Sequence, residues 1–206
     1  MKRTIKSPDV RKLEIIEVSK ELFRTHGYEQ TSVEAIIQAA GIAKGTFYYY
    51  FKAKKDILIA LVELITTDIT VYFQSILELS GLSAIDKLAM MLRGSEKKVK
   101  IQPDVMEILH HPENRILQEK LNIKTIEVIA PLVTAVIEAG NQEGVFQADT
   151  PLETVQFLMA GSAFILESGL FNWTHEKNIV LKKSLQNLVE RGLGAKPGAL
   201  SFIADL

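Results

Sequence analysis

The sequence predicts an all-α protein of about nine helices, a small basic bundle followed by a larger helical body. Three observations carry that expectation. Apolar residues recur at spacings of three and four along most of the 206 residues. No proline stands between Pro8 and Pro103, so long helices meet no forced break there. The chain offers no hairpin signal and no internal repeat. Apolar residues make up 47% of the chain, enough for a core and too many for a disordered polymer. Cysteine is absent, which excludes a disulfide framework and thiolate metal sites.

The elements follow in order. Asp9 is positioned to cap a first helix whose face carries Ile15, Val18, Leu22 and Phe23, and Gly27 is a suitable stop. Thr31 or Ser32 starts a short second helix with Val33, Ile36, Ile37 and Ala40 on its apolar side, ending at Gly41. A third short helix begins at Ala43 or Lys44 and runs to Phe51. A long fourth covers 54–79, with Asp56 in its first turn. Further helices are expected at 83–100, 103–110, 113–140, 151–169 and 176–192. Pro131 lies inside the stretch 113–140 and predicts a kink. The β-branched run IKTIEVIAPLVTAVI leaves a strand open as an alternative there. The tail 195–206 reads either as loose chain or as a short packed segment.

Charge is distributed unevenly. Residues 1–55 hold 11 Lys/Arg against 6 Asp/Glu, whereas the remainder holds 13 against 19. A basic head on an acidic body suits a head that meets a polyanion. Two short helices joined through a glycine turn, behind a longer helix, form a helix-turn-helix candidate. Within GIAKGTFYYYFKAKKD, Phe47 and Phe51 share one helical face and are expected inside. Gly45, Tyr48, Tyr49 and Lys52 line another face, with Lys44 beside Tyr48. Tyrosine offers a flat apolar ring and a hydroxyl for phosphate or a thymine methyl. Gly45 admits close backbone approach, and Lys44 and Thr46 lie at a helix N-terminus that favours anions. The same tyrosines would also suit a protein interface, and Thr31 and Ser32 would serve equally as caps.

The run from Leu13 to Leu58 closely resembles the DNA-binding region of the TetR family of bacterial transcriptional regulators. The resemblance rests on Phe23, Gly27 and Tyr28, then Thr-Ser-Val, an Ala-Gly-Ile turn, Gly-Thr-Phe-Tyr-Tyr-Tyr-Phe, and a lysine before the next helix. It implies a DNA-binding domain at 1–52 and a ligand-binding and dimerisation domain at 53–206, with helix 54–79 as connector. It further implies a homodimer on a near-palindromic operator of double-stranded DNA. Lys44, Gly45, Thr46 and Tyr48 would face bases or nearby phosphate. Tyr49, Tyr50, Lys54 and the Thr31 and Ser32 hydroxyls would hold phosphates. The position of Tyr50 is often histidine in the family. The dimer would form through helices near 151–169 and 176–192, where Ala160, Gly161, Ser162 and Ala163 allow close approach and Leu185, Leu188 and Val189 make a stripe.

By the same resemblance, a small hydrophobic effector would bind within 57–170, and Phe73, Met90, Met91, Met106, Phe164 and Trp173 are the soft and aromatic residues suited to its pocket. No cofactor is expected. His110, His111 and Glu113 are better explained by a helix start at Pro112 than by a metal. An enzyme is disfavoured because the chain lacks a P-loop, HExxH and GxSxG. An interaction protein whose tyrosines grip another protein remains the alternative. The longest apolar runs, 57–65 and 157–166, are short of the roughly 18 residues of a membrane span, and the basic N-terminus is not followed by a signal-like apolar stretch. The cytoplasm is the expected location.

Overall fold

A computed structural model of the chain describes residues 7–97, 114–167 and 171–205. Among them are eight α-helices and no strand. The helix expected at 103–110, together with Met106, His110, His111 and Glu113, lies outside the described residues. The described chain divides into two compact units, residues 7–65 with 114–120 and residues 66–97 with 121–167 and 171–205.

The first unit begins with α1 (Pro8–His26). Its cap is Ser7, whose hydroxyl accepts the Val10 N–H at 3.4 Å. Asp9, expected as the cap, falls in the first turn because Pro8 already takes the first helical position. Gly27 ends α1 at φ 79°, a value that favours glycine, and its N–H donates to the Phe23 carbonyl at 2.9 Å. Of the two candidate starts, Ser32 caps α2 (Val33–Ala39), accepting the Ala35 N–H at 3.0 Å. Gly41, at φ 61°, turns the chain toward α3 (Lys44–Tyr50). The α4 helix (Lys54–Leu77) starts where the Asp56 carboxylate reaches back to accept the N–H groups of Lys52 and Ala53, at 2.8 and 3.0 Å. Ile15, Phe23, Ile36, Phe47, Phe51, Ile57 and Leu58 are all buried and make this unit's core.

The second unit takes in the later part of α4, then α5 (Ala84–Lys97). Ser83 and Asp86 cap α5, with the hydroxyl donating to the carboxylate at 2.6 Å. A long α6 (Arg115–Glu143) follows, helical throughout its β-branched run and with Pro131 inside it. Next come α7 (Pro151–Ser162), a π-helical turn (Ala163–Glu167) and α8 (His175–Gly192), capped by the Thr174 hydroxyl. Phe73, Ile76, Leu88, Met91, Ile129, Val136, Ile137 and Phe146 form the centre of the second core.

The tail is packed. Leu200, Phe202 and Ile203, the last two in a 3-10 turn (Ser201–Asp205), belong to that second core. One carboxylate holds the tail in place. Glu190 on α8 is buried, and its Oε1 accepts from Gln186 Nε2 at 2.8 Å, Gly198 N at 3.0 Å and Leu200 N at 3.1 Å. Burial works against its charge, but the hydrogen bonds from Gln186, Gly198 and Leu200 and the nearby Lys183 outweigh it. The Glu190 carboxyl is therefore held below its ordinary value.

A depressed folded-state value means the contribution is present above the unfolded carboxyl value of about 4.3 and lost as pH falls through the folded one. Acidification below about pH 4 is thus expected to lower the wild-type melting temperature more than that of Glu190→Gln. Glu190→Ala removes the acceptor of the buried Leu200 N–H and Gln186 amide and of the part-buried Gly198 N–H, and is expected to cost about 1–3 kcal/mol in urea unfolding at neutral pH.

Candidate nucleic-acid interface

The surface of interest is the outward side of α3, and it exists because the inward side is fully occupied. Phe47 and Phe51 are 0% and 2% exposed, four residues apart on one face. Their burial fixes how α3 is turned. Tyr48 and Tyr49 are consequently left 45% and 76% exposed. Lys44, Gly45, Lys52 and Lys55 are exposed as well, while Thr46 and Tyr50 are half-buried. The rings brace one another: Tyr49 meets Tyr50 edge to face at 4.9 Å, and Tyr48 meets Phe47 in the same way at 5.3 Å. The Lys44 ammonium stands 6.0 Å from the Tyr48 ring centroid. A Cβ added at Gly45 would meet no atom within 4 Å, so the unit's own packing does not call for glycine there.

The hydroxyl and lysine positions divide. Ser32 is exposed at the start of α2. Thr31, grouped with it from the sequence, is 3% exposed, and its hydroxyl donates to the Gly27 carbonyl at 2.8 Å. It is a turn residue, turned away from the exposed surface because its hydroxyl closes the α1–α2 connection. Lys54 also turns inward. Its Nζ donates to the carbonyls of Tyr28 at 2.6 Å and Glu29 at 3.1 Å and stands 4.2 Å from the Tyr28 ring centroid. Tyr28 packs edge to face on Phe23 at 5.2 Å, and burial, with Glu29 and Asp56 adding, pushes its phenol up. Asn114 went unnoticed in the sequence. It is 0% exposed, with Oδ1 accepting the Tyr28 N–H and Nδ2 donating to the Phe23 carbonyl at 3.2 Å. Asn114 lies 86 residues from Tyr28 along the chain, so no local pattern could have found it.

The residues suited to an effector pocket are divided as well. Phe73 and Met91 are buried in the second core, and Met90 packs against it. Phe164 and Trp173 are not part of that cluster. The π-helical turn after Ser162 leaves Phe164 53% exposed. Trp173 stacks on Phe171 at 4.8 Å, and Phe171 meets Phe164 edge to face at 5.8 Å. Met106 lies outside the described residues. Among the described residues there is no cluster of three or more metal-ligating side chains, and no helix is long and apolar enough to cross a membrane.

Comparison with known proteins adds a family. Residues 15–61 match bacterial regulatory proteins of the tetR family, and residues 97–186 match the tetracyclin repressor-like C-terminal domain. The fatty acid metabolism regulator protein of Bacillus subtilis is 47% identical over 49 residues, which is 24% of this chain and only 25% of that protein. The HTH-type transcriptional repressor KstR2 of Rhodococcus jostii is 25% identical over 75% of this chain and 77% of its own length. The fatty acid degradation regulator FadR of Bacillus halodurans superposes with a TM-score of 0.65 at 22% identity, covering 98% of this chain and 97% of its own.

Truncation separates the two faces of α3. Phe47→Ala is expected to cost about 3–5 kcal/mol in chemical unfolding. Tyr49→Ala is expected to change stability by less than about 0.5 kcal/mol.

Proposed function

Because the chain belongs to the TetR family of bacterial regulatory proteins, we propose that it is a ligand-released repressor, a homodimer that binds a near-palindromic operator through α3. The observation that carries this reading is the division of α3, with two phenylalanines sealed inside and Tyr48, Tyr49, Lys44 and Gly45 outside. The DNA-binding domain is residues 1–52, and 53–206 is the domain for effector and dimer. Lys44, Gly45, Thr46 and Tyr48 face bases or adjoining phosphates, and Ser32, Tyr49 and Tyr50 hold the backbone. Glycine within a helix costs about 0.5–1 kcal/mol relative to alanine. With no internal contact to explain it, Gly45 is supported as a point of close approach to the groove.

An apolar surface supports the dimer. Phe157 is 80% exposed on α7, and Ile179, Val180 and Leu188 are 55–59% exposed on α8. A Cβ at Gly161 would meet nothing within 4 Å, which leaves room for a second helix backbone. Such a row is costly in water and is covered by a second copy. The effector is a small, largely apolar molecule that favours a state of the dimer with mismatched reading heads; its differential affinity weakens DNA binding, and DNA weakens its binding equally. The 47% likeness to the fatty acid regulator spans only 49 residues, 24% of this chain, and therefore does not carry an effector to it. The protein acts without catalysis, in the cytoplasm, on chromosomal DNA.

Gel retardation on DNA upstream of the chain's own gene tests the reading. Wild type is expected to retard it, with affinity falling by about 10³-fold or more between about 50 and 200 mM salt if six or more phosphates are engaged. Tyr48→Ala and Lys44→Ala are expected to weaken binding with unchanged melting temperature; wild-type affinity in both removes α3 as the reading element. Phe157→Asp is expected to convert the dimer to monomer in sedimentation, and a monomeric wild type would refute the assembly.

A further inference from the structure

The connection between α1 and α2 is held by two side chains that come from elsewhere in the chain. Both backbone polar groups of Tyr28 are engaged: its N–H by Asn114 Oδ1 and its carbonyl by Lys54 Nζ. Asn114 also takes the Phe23 carbonyl near the end of α1, and Lys54 also takes the Glu29 carbonyl. We propose that Lys54 and Asn114 are positioning residues for DNA binding: together they clasp the α1–α2 connection, set the placement of α2 and α3, and do so without touching DNA.

Three features support this. The Lys54 ammonium gives two of its three N–H donors to carbonyls and stands 4.2 Å from the Tyr28 ring centroid, so most of its donor capacity is committed to the connection. Asn114 is fully buried and cannot meet a duplex. The connection's own bonds are short-range, Gly27 N–H to the Phe23 carbonyl, Thr31 N–H to the Tyr28 carbonyl at 3.3 Å and the Thr31 hydroxyl to the Gly27 carbonyl, whereas Lys54 and Asn114 reach it from distant parts of the chain. A recognition surface works only when its supporting groups hold it to within about 0.5 Å. Asn114 immediately precedes α6, so the clasp joins the reading head to the start of a helix that continues into the second unit.

The inference rests on the DNA-binding reading, and salt dependence separates the two. Affinity for a fluorescent duplex from upstream of the gene is measured by anisotropy between about 50 and 200 mM salt. The proteins compared are wild type, Lys44→Met, Lys54→Met, Asn114→Leu and the Lys54→Met/Asn114→Leu double variant. Loss of a phosphate contact lowers the slope of log affinity against log salt by about 0.9. Lys54→Met is expected to bind on the order of tenfold more weakly with the wild-type slope, whereas Lys44→Met loses slope. The double variant is expected to lose clearly less than the product of the two single losses, because both act on one turn. A slope reduced by about 0.9 in Lys54→Met overturns the proposal, as do multiplicative losses. Circular dichroism checks folding, and if Asn114→Leu does not fold, Asn114→Ser takes its place while the Lys54→Met slope alone can still refute the clasp. A wild type that ignores the duplex even at low salt overturns the function itself.

Discussion

Burial of Phe47 and Phe51 is the constraint on which the reading head depends. A seven-residue helix has too few hydrogen bonds to stand alone and takes its stability from what it packs against. Once two rings four residues apart are committed to the interior, the helix cannot rotate about its axis without exposing them. The outward composition of α3 follows from that commitment. Tyrosines and a lysine are presented to solvent because the phenylalanines are not.

Much of this head was legible in the sequence because its signals are local. Gly27, Ser32, Gly41 and Asp56 act within a few residues of themselves, and each ends, turns or caps the chain where its chemistry requires. The inside and outside of α3 could be read from a spacing of four. Ser7 displaced Asp9 as the first cap because a proline at the next position suits a helix start, a competition between two good local signals. Thr31 and Lys54 carried functional groups suited to phosphate, but their use is decided by partners in space. Asn114 was beyond reach for the same reason.

The second unit was legible as helices and not as a site. Aromatic and sulfur side chains suit a core, a pocket lining and an exposed cluster equally well, so composition could not sort Phe73 and Met91 from Phe164 and Trp173. Here the deciding features were again geometric. A π-helical turn widens the helix after Ser162 and changes which residues of the apolar run face outward. The tail had no strong local signal, and its packing joins three apolar side chains in the core to a buried carboxylate that meets two backbone amides.

That packed tail bears on the order in which the protein is made. Leu200, Phe202 and Ile203 supply part of the interior around Phe73 and Met91, so the second unit's interior is incomplete until residues 200–203 have emerged from the ribosome. The bundle formed by α1, α2 and α3 emerges far earlier, with its rings already available to one another. Each newly synthesised molecule therefore passes through an interval in which its N-terminal helices can assemble while the remainder still exposes unfinished apolar surface to chaperones.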